Sequence, residues 1–134
     1  MQSKTLSNQF IFNEKIDPEA LFSLYTDDFS YIEEIFATTL QHFDADFSML
    51  QLAYENGSTE DLKKAIHKIK PTFGYTGLLD IQQSCKQFED QCAAAHEISE
   101  VADNYTSIKN LLLEGRDIIE KDYSRLKVFN ANPI

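Results

Sequence analysis

Positive charge is scarce in this chain. Lys and Arg number 12 against 22 Asp and Glu, a formal net charge of −10. That balance argues against nucleic acid and against an anionic membrane surface as partners, because both are held by attraction to basic side chains. Long apolar runs are missing too. No stretch approaches the roughly 18 residues that span a bilayer, and residues 1–16 have neither the basic start nor the unbroken apolar segment of a signal peptide. A cytoplasmic protein is expected. Only two cysteines occur, Cys85 and Cys92, in step with Ile81 and Phe88 on one expected helix. At 1.5 Å of rise per residue they lie about 10 Å apart, too far for a disulfide within that helix, so buried thiols are expected. There is no alternating strand pattern, no internal repeat, no low-complexity tract and no Gly-rich nucleotide-binding segment. At 134 residues the chain is long enough for one self-sufficient core and too short for a second catalytic domain.

What is present is helical periodicity. Residues 1–16 form an N-terminal arm with the short apolar run Phe10-Ile11-Phe12, expected to pack against the body. Asp17 is an N-cap with Pro18 at the first helical position, opening a short helix over about 17–25. Thr26, Asp27 and Asp28 cap a long second helix striped by Phe29, Ile32, Ile35, Phe36, Leu40, Phe43, Phe47, Leu50 and Tyr54. Asn56-Gly57 closes it, and Ser58 opens a third helix over about 59–75 whose apolar lane is Leu62, Ala65, Ile66, Ile69 and Phe73. A fourth, to about residue 94, carries Ile81, Cys85, Phe88 and Cys92. A fifth, from about Ser99, carries Val101, Tyr105, Ile108, Leu112, Ile119 and Leu126. Such helices joined by short turns bury their stripes as an all-α, antiparallel up-down-up-down four-helix bundle, with the short first helix at one end. The bundle is expected over 17–126, followed by a frayed tail over 127–134.

One lane of the third helix stands out. His67 shares it with Lys63 and Lys64 on one side and with Lys70, Pro71 and Gly74 on the other, and no bulky apolar side chain falls in it. The apolar lane lies about a quarter turn away, so His67 is expected to be exposed. A neutral imidazole, with an ordinary pKa of about 6.5, is a good nucleophile near neutral pH and can accept a phosphoryl group. Lys70, one turn on, can offer the product a charge-assisted hydrogen bond. Gly74, two turns on, removes bulk where another protein would close over the ring. Gly77 marks a tight connection. Lys63, Lys64, Lys68 and Lys70 put four of the 12 basic residues within eight positions, a local cationic patch suited to steering a partner.

The segment His67, Ile69, Lys70 and Gly77, with the apolar continuation Leu78, Ile81 and Phe88, resembles the histidine-containing phosphotransfer (HPt) domain family, and the resemblance extends over the whole chain through the expected bundle. The family's glycine four residues after the histidine is Pro71 here, which has no amide hydrogen and leaves the His67 carbonyl without its helical partner. The resemblance implies a phosphoryl carrier that takes phosphate on the outer nitrogen of His67 from a receiver-domain aspartate and passes it to another, with response-regulator receivers and a hybrid histidine kinase as partners. It also implies that a polar residue on the next helix orients the imidazole. Glu89 falls at that position. Gln82, Lys86 and Glu89 share one lane, which extends a docking surface made of Lys63, Lys64, Lys68, Pro71, Gly74, Gly77, Gln82 and Lys86. No cofactor is implied, magnesium belonging to the receiver's acidic pocket, and a bundle complete in one chain implies a monomer.

Three other readings compete. A di-metal bundle needs Glu three residues before His, but Thr39, Lys64 and Ala93 precede His42, His67 and His96 at that spacing, and His42, Asp44 and Asp46 point to different sides of one helix. No metal site is therefore expected. A histidine kinase would place an acidic residue directly after the histidine, where this chain has Lys68. The third is an HPt-like adaptor that docks receivers or other helical partners without carrying phosphate.

Overall fold

The computed structural model of the chain describes residues 9–132. Residues 1–8 of the expected arm and 133–134 of the expected tail lie outside the described residues. Among the described residues every regular element is helical: α1 (Pro18–Tyr25), α2 (Phe29–Glu55), α3 (Thr59–Ile69), α4 (Pro71–Tyr75), α5 (Leu79–Ala94), a 3-10 turn (Ile98–Val101) and α6 (Ala102–Ala131).

Local chemistry sets the boundaries. Asp17 caps α1 by accepting from the amides of Glu19 and Ala20, Asp28 caps α2 through Tyr31, and Ser58 caps α3 through Asp61, each satisfying a donor that a helix start leaves free. Gly57 reverses the chain at φ 72° after α2, and Gly77 does so at φ 77° after α4, both in the region that glycine enters without steric cost. Pro71 splits what would be one helix into α3 and α4. Because Lys70 between them keeps helical dihedrals, φ −54° and ψ −43°, the direction of the chain is retained while the His67 carbonyl loses its donor.

Helix α2 packs against α3 and α6, and α5 packs against the same two helices. Asn130 of α6 donates to the Phe29 carbonyl at the start of α2 (3.0 Å), and Tyr105 at the other end of α6 stacks on Tyr54 near the end of α2 (3.9 Å). Lys68 of α3 meets Asp46 of α2. Along α3, α4 and α5, His67 faces Glu89 and Gly74 faces Gln82. Phe36, Phe43, Leu62, Ile66, Ile69, Phe73, Leu112 and Ile119 are fully enclosed between them. Helix α6 reaches the α4–α5 seam at Gly115, where an added Cβ would lie 2.7 Å from Phe73 and 2.8 Å from Ile81. Both thiols are in the core, and burial pushes Cys85 up to about 12 and Cys92 up to about 11.

One expectation is corrected at the C-terminal end. The last helix continues to Ala131, so residues 127–131 are helical and not a frayed tail. Phe129 supplies the reason, packing on Phe10 (5.5 Å) and Phe29 (5.3 Å). At the other end the arm packs against the body from residue 10, with Phe10, Phe12 and Ile16 all buried.

Candidate functional site

Helix α3 buries Leu62, Ile66 and Ile69, which turns His67 to the flank of the buried stripe, where its side chain is 67% exposed. Helix α5 lies beside it and buries Ile81, Cys85, Phe88 and Cys92. Glu89, one residue past Phe88, is thereby carried into the seam between the two helices with a side chain only 11% exposed. Its two carboxylate oxygens divide their work: Oε2 lies 2.7 Å from His67 Nδ1, and Oε1 lies 2.7 Å from Lys70 Nζ.

This three-residue cluster has a definite electrostatic sense. Burial pushes the Glu89 carboxyl up, but hydrogen bonds from Lys70 and His67, together with their charges, outweigh it and hold the group below its ordinary value. Glu89 is therefore an anion at neutral pH and can only accept. An acceptor at Nδ1 requires the proton to sit there, which leaves the Nε2 lone pair free on the exposed side of the ring. Among the described residues Nε2 has no hydrogen-bond partner. Lys70, 19% exposed, is a cation held one turn from the ring with its ammonium at the edge of the same cluster. The arrangement is a nucleophilic nitrogen with a fixed tautomer, an anion behind it and a cation beside it.

The remaining residues singled out in the sequence are distributed around this cluster. Lys63, Lys64 and Lys68 are exposed on α3. Lys64 lies 3.7 Å from Glu60 and Lys68 3.4 Å from Asp46, so the cationic patch is partly offset by carboxylates that the lysine spacing alone does not reveal. Pro71 is exposed at the start of α4. Gln82 is half-buried and Lys86 exposed on α5, with Lys86 donating to Asp90 at 3.1 Å.

Two glycines are used differently from expectation. Gly74 does not leave open space: a Cβ there would lie 2.5 Å from Gln82 Nε2, so the missing side chain admits the chain's own glutamine amide. Gly77 is removed from the docking surface altogether. It is buried, and a Cβ would meet Ile16, the Asp17 carbonyl and Leu21 at 3.0–3.2 Å.

Sequence reasoning missed several participants. Leu24, Tyr75 and Leu79 are exposed at 58%, 54% and 38% and share a groove with Lys70, Pro71 and Gln82, a juxtaposition that only the folded chain creates. Asp122 is buried at 3% exposure. Its signal was available, for it interrupts the apolar stripe between Ile119 and Leu126, where a carboxylate has to find partners. Among the described residues no group of three His, Cys, Asp or Glu side chains is placed to hold a metal ion.

A family model described as Hpt domain matches residues 34–118, well over half of the chain and inclusive of His67, Lys70 and Glu89. No curated protein and no solved structure matches.

Proposed function

The chain belongs to the Hpt domain family, and from that footing we propose that it is the histidine phosphotransfer protein of a multistep phosphorelay, with His67 as phosphoacceptor. Hpt domains carry phosphoryl groups in two-component signalling and work with receiver domains and kinases. They are carriers, not catalysts. In fold terms the reading takes the packing of α2, α3, α5 and α6 as an up-down-up-down four-helix bundle, with α1 as the additional short helix.

The observation that carries the reading is the Glu89 bridge between His67 Nδ1 and Lys70 Nζ. The Nε2 lone pair attacks the phosphorus of a receiver's aspartyl phosphate; the Nε2–P bond forms, the P–O bond to the aspartate breaks, and that carboxylate leaves with the bond pair. The ring becomes cationic while Nδ1 keeps its proton, and the Glu89 carboxylate 2.7 Å away offsets the new charge. Lys70 can turn its ammonium to the phosphoryl oxygens, where a charge-assisted hydrogen bond is about twice as strong as a neutral one. The reverse sequence delivers the group to a second receiver.

Around the ring, Lys63, Lys64, Lys68, Pro71, Gln82 and Lys86 form the surface that a receiver covers. A carrier must release one partner to reach the next, so the interface should be at the small end, below about 1,200 Å². The site is assembled within one chain, so a monomer suffices, and the reading places the protein in the cytoplasm with its kinase and regulator. Among the described residues no helix is long and apolar enough to cross a membrane. The adaptor alternative draws on Pro71, whose ring occupies the surface where the family has glycine.

The test is phosphoryl exchange with a phosphorylated receiver. Acid-labile phosphate should appear on the chain, move on to a second receiver, and be lost in His67→Gln. No label under conditions that load a control carrier would favour the adaptor, and labelling of His67→Gln at the parent rate would refute the assignment of His67.

A further inference from the structure

Outside the matched residues 34–118, the chain builds one more wall beside the phosphoacceptor, and a buried acid on α6 holds the segment that leads into it. Helix α1 has eight residues, too few to persist alone. Leu21 is its one buried side chain among the described residues. It is tied at both ends to the end of α4 and the turn that follows: the Asp17 amide donates to the Gly77 carbonyl at 2.8 Å, and the Tyr25 hydroxyl donates to the Tyr75 carbonyl at 2.9 Å. It leaves through Thr26 at φ 56°, a conformation that a β-branched residue keeps only when its surroundings hold it.

The chain leading into α1 is strapped to α6. Asp122 Oδ2 accepts from the Asn13 amide at 2.7 Å while its Oδ1 accepts from Arg125 at 2.7 Å. Arg125 in turn donates to the Ile11 carbonyl at 2.6 Å and lies over the Phe10 ring at 4.6 Å. A nearly enclosed carboxylate on the helix farthest in sequence from the arm thus fixes residues 10–13, and four residues later the same strand of chain enters α1. Ala20 and Leu24 of α1 then form one side of the groove whose other side is Lys70, Pro71, Tyr75 and Gln82. Lys70 belongs both to this groove and to the Glu89 cluster, so the groove is continuous with the phosphoryl site.

We propose that Asp122 is a positioning residue for receiver docking: by strapping residues 10–13 to α6 it sets α1 as one wall of an apolar groove that the receiver domain covers. The proposal rests on the phosphotransfer reading above. A receiver has to bring its aspartyl phosphate to Nε2, and surface around its acidic pocket then meets the neighbouring groove, where Leu24, Tyr75 and Leu79 offer apolar contact beside the Lys70 cation. A small phosphoryl donor needs none of this surface.

The experiment compares two donors on the full chain: phosphoramidate, a small phosphoryl donor, and a phosphorylated receiver. Asp122→Ala should leave phosphoramidate labelling of His67 and the kcat of receiver transfer unchanged and raise the receiver KM about threefold to tenfold, the scale of one lost hydrogen bond. Asp122→Asn keeps an oxygen to accept from the Asn13 amide but puts an amide NH2 where Arg125 donates, and should recover part of the loss. Leu24→Glu, a change on an exposed position, should raise the KM without touching the strap. If the parent is labelled by phosphoramidate and the receiver KM is indifferent to either Asp122→Ala or Leu24→Glu, the proposal fails alone. If the parent accepts phosphate from neither donor, the carrier reading fails and takes the proposal with it.

Discussion

Removing the Glu89 carboxylate is the sharpest single perturbation of the site. Glu89→Ala deletes two charge-assisted hydrogen bonds of 2.7 Å each and leaves Lys70, 19% exposed, without its anion. Breaking a fully buried ion pair costs about 3–5 kcal/mol. Lys70 and His67 can both reach water here, so a loss of about 1–2 kcal/mol, or roughly 3–8 °C in Tm, is expected. Transfer should suffer more than stability. The ring loses the acceptor that sets its tautomer and the anion that faces its developing charge, and a hydrogen bond to a charged group is worth about 1.5–3 kcal/mol, which corresponds to a rate loss of roughly tenfold to a hundredfold. Glu89→Gln retains a neutral oxygen for Nδ1–H and should fall between parent and Glu89→Ala. The stability effect carries a pH signature. Because the folded carboxyl is held below the value of 4.5 that it otherwise has, its contribution is fully present above that value and disappears as the pH falls through the depressed one. The stability gap between parent and Glu89→Gln should therefore be level at neutral pH and shrink below about 4.5. Stopped-time receiver transfer and thermal denaturation read the two effects. Parent-like transfer in Glu89→Ala would refute the positioning argument, and a Gln variant as slow as the Ala variant would show that the acceptor at Nδ1 is not what matters.

Pro71→Ala supplies the amide hydrogen that the His67 carbonyl lacks and should stabilise the chain by about 1–2 kcal/mol, a Tm rise of a few degrees; a fall in Tm would show that the carbonyl has no use for that donor. Gly115→Ala should destabilise by about 1–3 kcal/mol, because the new methyl would lie within 2.8 Å of Phe73 and Ile81 in a packed core with no slack. A denaturant midpoint equal to the parent's would mean that α6 can move outward freely.

How far the fold was readable depended on how local each determinant is. Asp17, Gly57 and Ser58 act on their own neighbours within a turn, and the helix starts and reversals they dictate coincide with the structure. The apolar stripes of α3, α5 and α6 are equally local, since a 3.6-residue repeat has one way to face inward. The end of α6 was misread because what sustains it is remote: Phe129 packs on Phe10 and Phe29, partners about a hundred positions away in the chain. Gly77 shows the two levels within one residue. Its turn is local and legible, whereas the Ile16 and Leu21 side chains that cover it come from another part of the chain. The partial offset of the lysine patch is non-local for the same reason, Asp46 being invisible to any reading of α3 alone. At the site, the 22-residue interval from His67 to Glu89 marked a position through family resemblance, but it gave no hint that one carboxylate would face both the imidazole and the ammonium.

That shared carboxylate bears on how easily a load is given up. Before any phosphate arrives, Lys70 already has an anion in its grasp, so binding a phosphoryl group replaces one negative counterpart with another and does not satisfy a bare cation. Glu89 acts as a placeholder. On the carrier reading, the swap would offset part of what the new contact contributes and so bring the loaded and empty forms closer in free energy, which suits a messenger that must part with its cargo as readily as it picks it up.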